Sequence, residues 1–107
     1  MREVFKLLNS LVTVRLDKQE RAALEYAIDD IAAEVYLFGS RIDLVKKGGD
    51  IDILILSKSD SLKLSRNIGL KFFEKCEEKI DVIVMNPDNM TEEQQSFLNT
   101  ITKIKIK

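Results

Sequence analysis

The residues best suited to chemistry in this chain are acidic. The run Asp50-Ile51-Asp52-Ile53-Leu54-Ile55-Leu56 sets two carboxylates two positions apart in an otherwise apolar segment. In a β-strand, side chains alternate between faces, and positions two apart lie about 6.5 to 7 Å from each other along one face. Asp50 and Asp52 would then project side by side, which is costly unless a cation lies between them. Their oxygens are the hard ligands that magnesium takes at about 2.0 to 2.1 Å. Upstream, Gly39-Ser40 ends the apolar run Val35-Tyr36-Leu37-Phe38, and such a bend can free backbone N–H groups for an anion. Phosphate on one side and magnesium on the other describe a bound nucleoside triphosphate. Arg41 adjoins the bend, so it is favoured over the Lys46-Lys47 pair as a further phosphate ligand.

Composition removes several other chemistries. The chain has no histidine, which excludes imidazole acid–base catalysis, Ser-His-Asp triads and His-containing zinc sites. Cys76 is the single cysteine, so no disulfide can form within the chain, and a buried apolar role is expected for it. A formal net charge of −1 gives no overall attraction to nucleic acid or anionic membrane. Arg2, Glu3 and Lys6 interrupt the first residues, so neither a signal peptide nor a membrane span is read there, and a cytoplasmic protein is expected. At 107 residues the chain suits one domain over 1–107.

The elements that must position these groups follow from periodicity and caps. Residues Arg2 to Ser10 have helix-like spacing and predict a short helix, while Leu11 to Leu16 reads as an extended lead-in or an edge strand. Asp17-Lys18-Gln19-Glu20 is a capping box, and Leu24, Ile28, Ile31 and Val35 continue one stripe, predicting a helix over 18–34. Val35 to Phe38 is a buried strand, and Ser40 can open a short helical turn. A helix over 60–78 follows the acidic strand, and Gly69 within it costs about 1 kcal/mol relative to Ala. Lys79 to Met85 is the third strand and carries Asp81. Thr91 to Gln94 caps a helix to about Asn99, and Ile104-Lys105-Ile106-Lys107 reads as an edge strand guarded by lysines, with a basic arm for nucleic acid or a partner as the lesser reading.

Connection rules then gather the chemistry. The acidic strand and the third strand flank a crossover helix, so they should be parallel, with Asp50 and Asp81 at one sheet edge. Only nine residues separate Ser40 from Asp50, which suits an antiparallel neighbour better than a parallel crossover. The Gly39-Ser40 bend therefore comes to the edge where Asp50, Asp52 and Asp81 lie.

An apolar residue, Gly39-Ser40, nine residues, Asp50-Ile51-Asp52 and a later Asp81 in an apolar strand together resemble the nucleotidyltransferases of the DNA polymerase β superfamily, in their minimal single-domain form. The resemblance covers residues 17–86. It implies an α/β (α+β) fold, a mixed sheet flanked by helices, and transfer of AMP from ATP. By that resemblance Gly39 and Ser40 hold the terminal phosphates, Asp50 and Asp52 bind two Mg²⁺ ions, and Asp81 binds the catalytic one and helps deprotonate the acceptor hydroxyl. Ile42-Asp43 and Gly49 depart from the pattern of many minimal members. Minimal members are commonly paired with a helical HEPN-type toxin, which implies an antitoxin that adenylylates a tyrosine. With no second domain to position an acceptor, that surface is expected from self-association or a partner. The alternatives are a non-catalytic module that masks its partner, and transfer to a small molecule or an RNA end.

Overall fold

The computed structural model describes residues 3–7 and 10–107. Ten elements follow one another: β1 (Glu3–Leu7), β2 (Ser10–Val14), α1 (Lys18–Ile28), β3 (Glu34–Phe38), a 3-10 turn (Gly39–Ile42), β4 (Ile51–Leu56), α2 (Ser61–Lys75), β5 (Ile80–Met85), α3 (Glu92–Thr100) and β6 (Lys103–Lys105). β1 and β2 pair antiparallel in a two-stranded sheet, and the remaining strands form a mixed sheet in the order β5-β4-β3-β6. β4 runs antiparallel to β3 and parallel to β5, as the lengths of the connections require. The mixed sheet with its flanking helices is the expected α+β architecture.

One face of the sheet is the core. Val35, Leu37, Ile51, Ile53, Ile55 and Ile80 pack with Ala23, Leu24 and Ala27 of α1 and with Ile68 and Phe72 of α2. The strand residues between them point the other way, by simple alternation. Phe97 of α3 meets Phe38 edge to face at 5.7 Å on that second side. Leu54, which shares that face, is also fully buried.

Three boundaries differ from the sequence reading. The helix expected over Arg2 to Ser10 is strand β1 where the structure describes it, over Glu3–Leu7; Arg2, Leu8 and Asn9 lie outside the described residues. A helix of so few residues is marginal alone, whereas β-branched β2 offers a complete backbone ladder from Glu3↔Val14 to Leu7↔Ser10. α1 stops at Ile28 rather than Glu34, because Lys107 Nζ donates to the carbonyls of Ile28 (2.8 Å) and Asp29 (2.7 Å) and satisfies the helix end. The apolar stripe read through Val35 thus crosses from helix to strand. α2 ends at Lys75, where Cys76 turns extended.

The C-terminal lysines are used inside the chain. Lys105 pairs with Glu34 at 2.9 Å, Lys103 stands over the Tyr36 ring at 5.7 Å, and Lys107 caps α1. This fits the guarded edge strand. Among the described residues, no helix is long and apolar enough to cross a membrane.

Candidate active site

Strand register assembles the acidic group. Phe38 of β3 faces Asp52 of β4, and Asp52 faces Asp81 of β5, so the three lie in one row across neighbouring strands about 4.8 Å apart. Asp50 directly precedes β4, and both it and Asp81 are exposed. The carboxylates occupy the face opposite the core. A strand can therefore be buried through Ile51, Ile53 and Ile55 while presenting Asp52 to a ligand.

The bend arrives at the same row. Gly39 has φ +76°, and a Cβ on it would overlap the Asp52 carboxylate, so only glycine lets that carboxylate lie against the backbone. Gly49 has φ +88°, and a Cβ there would overlap Ser40 Oγ. The serine hydroxyl in turn donates to the Asp50 carbonyl at 3.5 Å. The bend and the approach to β4 are fitted to each other through two glycines.

Burial raises the pKa of Asp52 above the usual carboxylate range, and the negative charges of Asp81 and Asp50 and a hydrogen bond with Asp81 add to it. Here carboxylates crowd one another, which is the condition a divalent cation relieves. Asp52 and Asp81, opposite each other on β4 and β5, with Asp50 just before β4, offer hard oxygens of the type magnesium takes, although among the described residues the acidic group whose oxygens already lie within 4.8 Å of one another is Asp17, Glu20 and Glu78.

Arg41 does not join this group. It is buried at 9% exposure, and its Nε donates to Gly49 O (2.9 Å), its Nη1 to Arg15 O (2.7 Å) and Glu20 Oε1 (2.9 Å), and its Nη2 to Glu20 Oε2 (2.8 Å). Four of its five N–H donors are thus committed within the protein. Burial works against the charge of Glu20, but the Arg41 bonds and the Asp17 backbone N–H outweigh it and hold the carboxyl below its usual range. The same pairing raises Arg41. Asp17, Glu20 and Glu78 bring carboxylate oxygens within 4.8 Å of one another, and the Arg41 guanidinium supplies the positive charge beside them.

Arg15 completes the framework. Its side chain donates to Asp43 O (2.7 Å), Ser40 O (2.6 Å) and Gly48 O (2.8 Å), so one guanidinium ties both ends of the 43–50 loop to the bend. The sequence reading missed this role, since Arg15 lies at the end of a short strand pattern with nothing to mark a distant partner. Asp43 accepts from Val45 N at 3.0 Å. It also lines a cavity of about 460 Å³ beside Gly39, together with Phe38, Ile42, Lys46, Ile101 and Thr102. Lys46, ranked below Arg41 on sequence, is the cation at this cavity.

Cys76 is buried and donates to Glu78 Oε2 at 3.0 Å; burial and that bond push its thiol up to about 12, which leaves it protonated and unreactive.

The model for the nucleotidyltransferase domain matches residues 11–107. The chain belongs to this family. A search of curated proteins found no match. The nucleotidyltransferase domain fits a minimal member of the DNA polymerase β superfamily, and nucleotidyl transfer is accordingly its general activity. Its match starts within β2 and so takes in Arg15, the bend, Asp50, Asp52 and Asp81.

Proposed function

We propose that this nucleotidyltransferase domain transfers AMP from ATP to a hydroxyl of a partner protein, with a tyrosine of a HEPN-type toxin as the acceptor, and that Asp50, Asp52 and Asp81 hold two Mg²⁺ ions. The observation that carries it is the row Phe38-Asp52-Asp81 with Gly39 packed against the Asp52 carboxylate. The choice of ATP, tyrosine and HEPN partner rests on the family resemblance.

Each residue then has a task. Gly39 and Ser40 present backbone N–H groups and a hydroxyl to the β- and γ-phosphates, and Lys46 adds positive charge from the adjoining cavity. Bound magnesium would neutralise phosphate charge and lower the acceptor hydroxyl's pKa. Asp81, exposed on the face of the sheet opposite the core, is reachable by the hydroxyl of a separate protein and takes its proton. The acceptor oxygen bonds to the α-phosphorus as the bond to the β-phosphate bridge breaks, and pyrophosphate leaves. Arg15 and Arg41 keep the bend in place.

The test is transfer of labelled AMP to the purified partner. Wild type should label it only with Mg²⁺, and Asp52→Asn should not; equal labelling by the two would overturn the reading. A non-catalytic antitoxin has one observation in its favour, the acidic residue Asp43 among those lining the cavity beside Gly39, where its charge would oppose phosphate. Under that reading Asp52→Asn binds and inhibits the partner as well as wild type does.

A further inference from the structure

We propose that the outer edge of β5 and the flank of α2 beside it form an interface for a second copy of this chain. The two copies are related by a two-fold axis, with β5 antiparallel to β5 and α2 antiparallel to α2.

The two edges of the mixed sheet are treated differently. β6 is three residues long, Lys-Ile-Lys, a short and charged edge of the kind that discourages pairing. β5 is six residues, Ile-Asp-Val-Ile-Val-Met, with no proline and no lysine or arginine, and β4 is its one strand partner among the described residues. Its outward N–H and C=O groups are therefore a template for another strand.

α2 packs on β5 and on α1. Its groove with α1 is lined by Leu64, Asn67, Ile68 and Lys71. On the flank turned away from that groove, Leu62, Arg66, Gly69 and Phe73 recur at spacings of four, three and four, which is one side of a helix. Leu62 is 65% exposed and Phe73 53%. Gly69 sits between them, and a Cβ added to it would meet nothing within 4 Å. Among the described residues, no contact needs a glycine that costs the helix about 1 kcal/mol. A close crossing by an external helix does need a small residue at the crossing point.

Charge selects the occupant. Arg66 lies in the first half of α2 and Glu77 just past its end, both exposed and neither in an ion pair among the described residues. A two-fold brings Arg66 of one helix toward the end of the other, beyond which Glu77 stands, a self-complementary pairing of the kind two-fold dimers use. Antiparallel pairing of the β5 edges demands the same helix direction, so strand and helix agree on one symmetry. The continuous sheet that results keeps both sets of carboxylates on one open face, since Asp81 points away from α2.

Sedimentation equilibrium over a wide concentration range tests this. Wild type should dimerise, and Phe73→Glu or Gly69→Leu should each raise the dissociation constant by at least about tenfold. Gly69→Leu should do so with an unchanged or raised melting temperature, which separates a lost interface from a lost fold. Arg66→Glu alone should weaken the dimer, and adding Glu77→Arg should restore it. A wild type that stays monomeric, a dimer indifferent to these changes, or a double charge swap no better than the single would each overturn the proposal. Capture of a different protein by this flank while the chain remains monomeric would do the same.

Discussion

Asp52→Asn should stabilise the protein while abolishing transfer, and the sign of the stability change tests the reasoning about the site. Asp52 stands directly opposite Asp81 and two positions from Asp50. A like charge directly opposite on a neighbouring strand costs about 0.2 to 1 kcal/mol. With a second acid close by, removing the central charge should gain about 1 kcal/mol, a rise of about 4 to 8 °C in melting temperature for a domain of this size. The raised pKa of Asp52 fixes the pH dependence. Native protein holds the Asp52 proton more tightly than unfolded chain, so wild-type stability falls as pH rises from the ordinary aspartate value through the raised one. The gap between wild type and Asp52→Asn should therefore be wide at neutral pH and close below about pH 3.9. Melts in EDTA at both pH values read it directly. Magnesium at ten times its dissociation constant should raise wild-type stability by about 1.4 kcal/mol and the variant's far less. A variant that melts lower than wild type at neutral pH in EDTA, or a gap that persists in acid, would refute the account.

Gly39→Ala should cost at least about 1 to 2 kcal/mol in a chemical melt from its positive φ alone, and should lose transfer because the added carbon displaces the Asp52 carboxylate. Arg41→Met should cost about 3 to 5 kcal/mol by stranding buried Glu20, and Arg41→Met combined with Glu20→Met should recover much of it; a double-mutant cycle in urea measures this. The lowered pKa of Glu20 means that its contribution is present above the ordinary glutamate value and lost as pH falls through the lowered one, so the Arg41→Met penalty should shrink in acid. Lys46→Ala should raise the KM for nucleotide and leave stability within about 0.5 kcal/mol, since its side chain is exposed at the cavity rim; steady-state kinetics and a melt check both.

The topology was legible because connection lengths constrain strand direction. Nine residues after Ser40 and a helix-length crossover before Asp81 were enough to bring the bend beside Asp52 and to pair Asp52 with Asp81. The fate of Arg41 was not legible. Its partner Glu20 already had a complete local explanation as the capping-box glutamate, which it does fulfil by accepting from Asp17 N at 3.0 Å, so its second use had no signature. Arg15 was missed for a related reason, since its acceptors are backbone carbonyls that any sequence would supply. The N-terminal strand was misread because a few apolar residues carry little periodicity, and pairing with β2 decides between helix and strand.

The division of β4 into two sides has a use in genetics. Ile51, Ile53 and Ile55 serve folding on one side and Leu54 is buried on the other, whereas Asp52 is the β4 residue on that second side left for a ligand. A saturation library sorted by cellular abundance should score Asp50, Asp52 and Asp81 as freely replaceable, while the same library sorted by protection from a partner should score them as indispensable. Subtracting one map from the other would outline the working surface without any knowledge of the substrate.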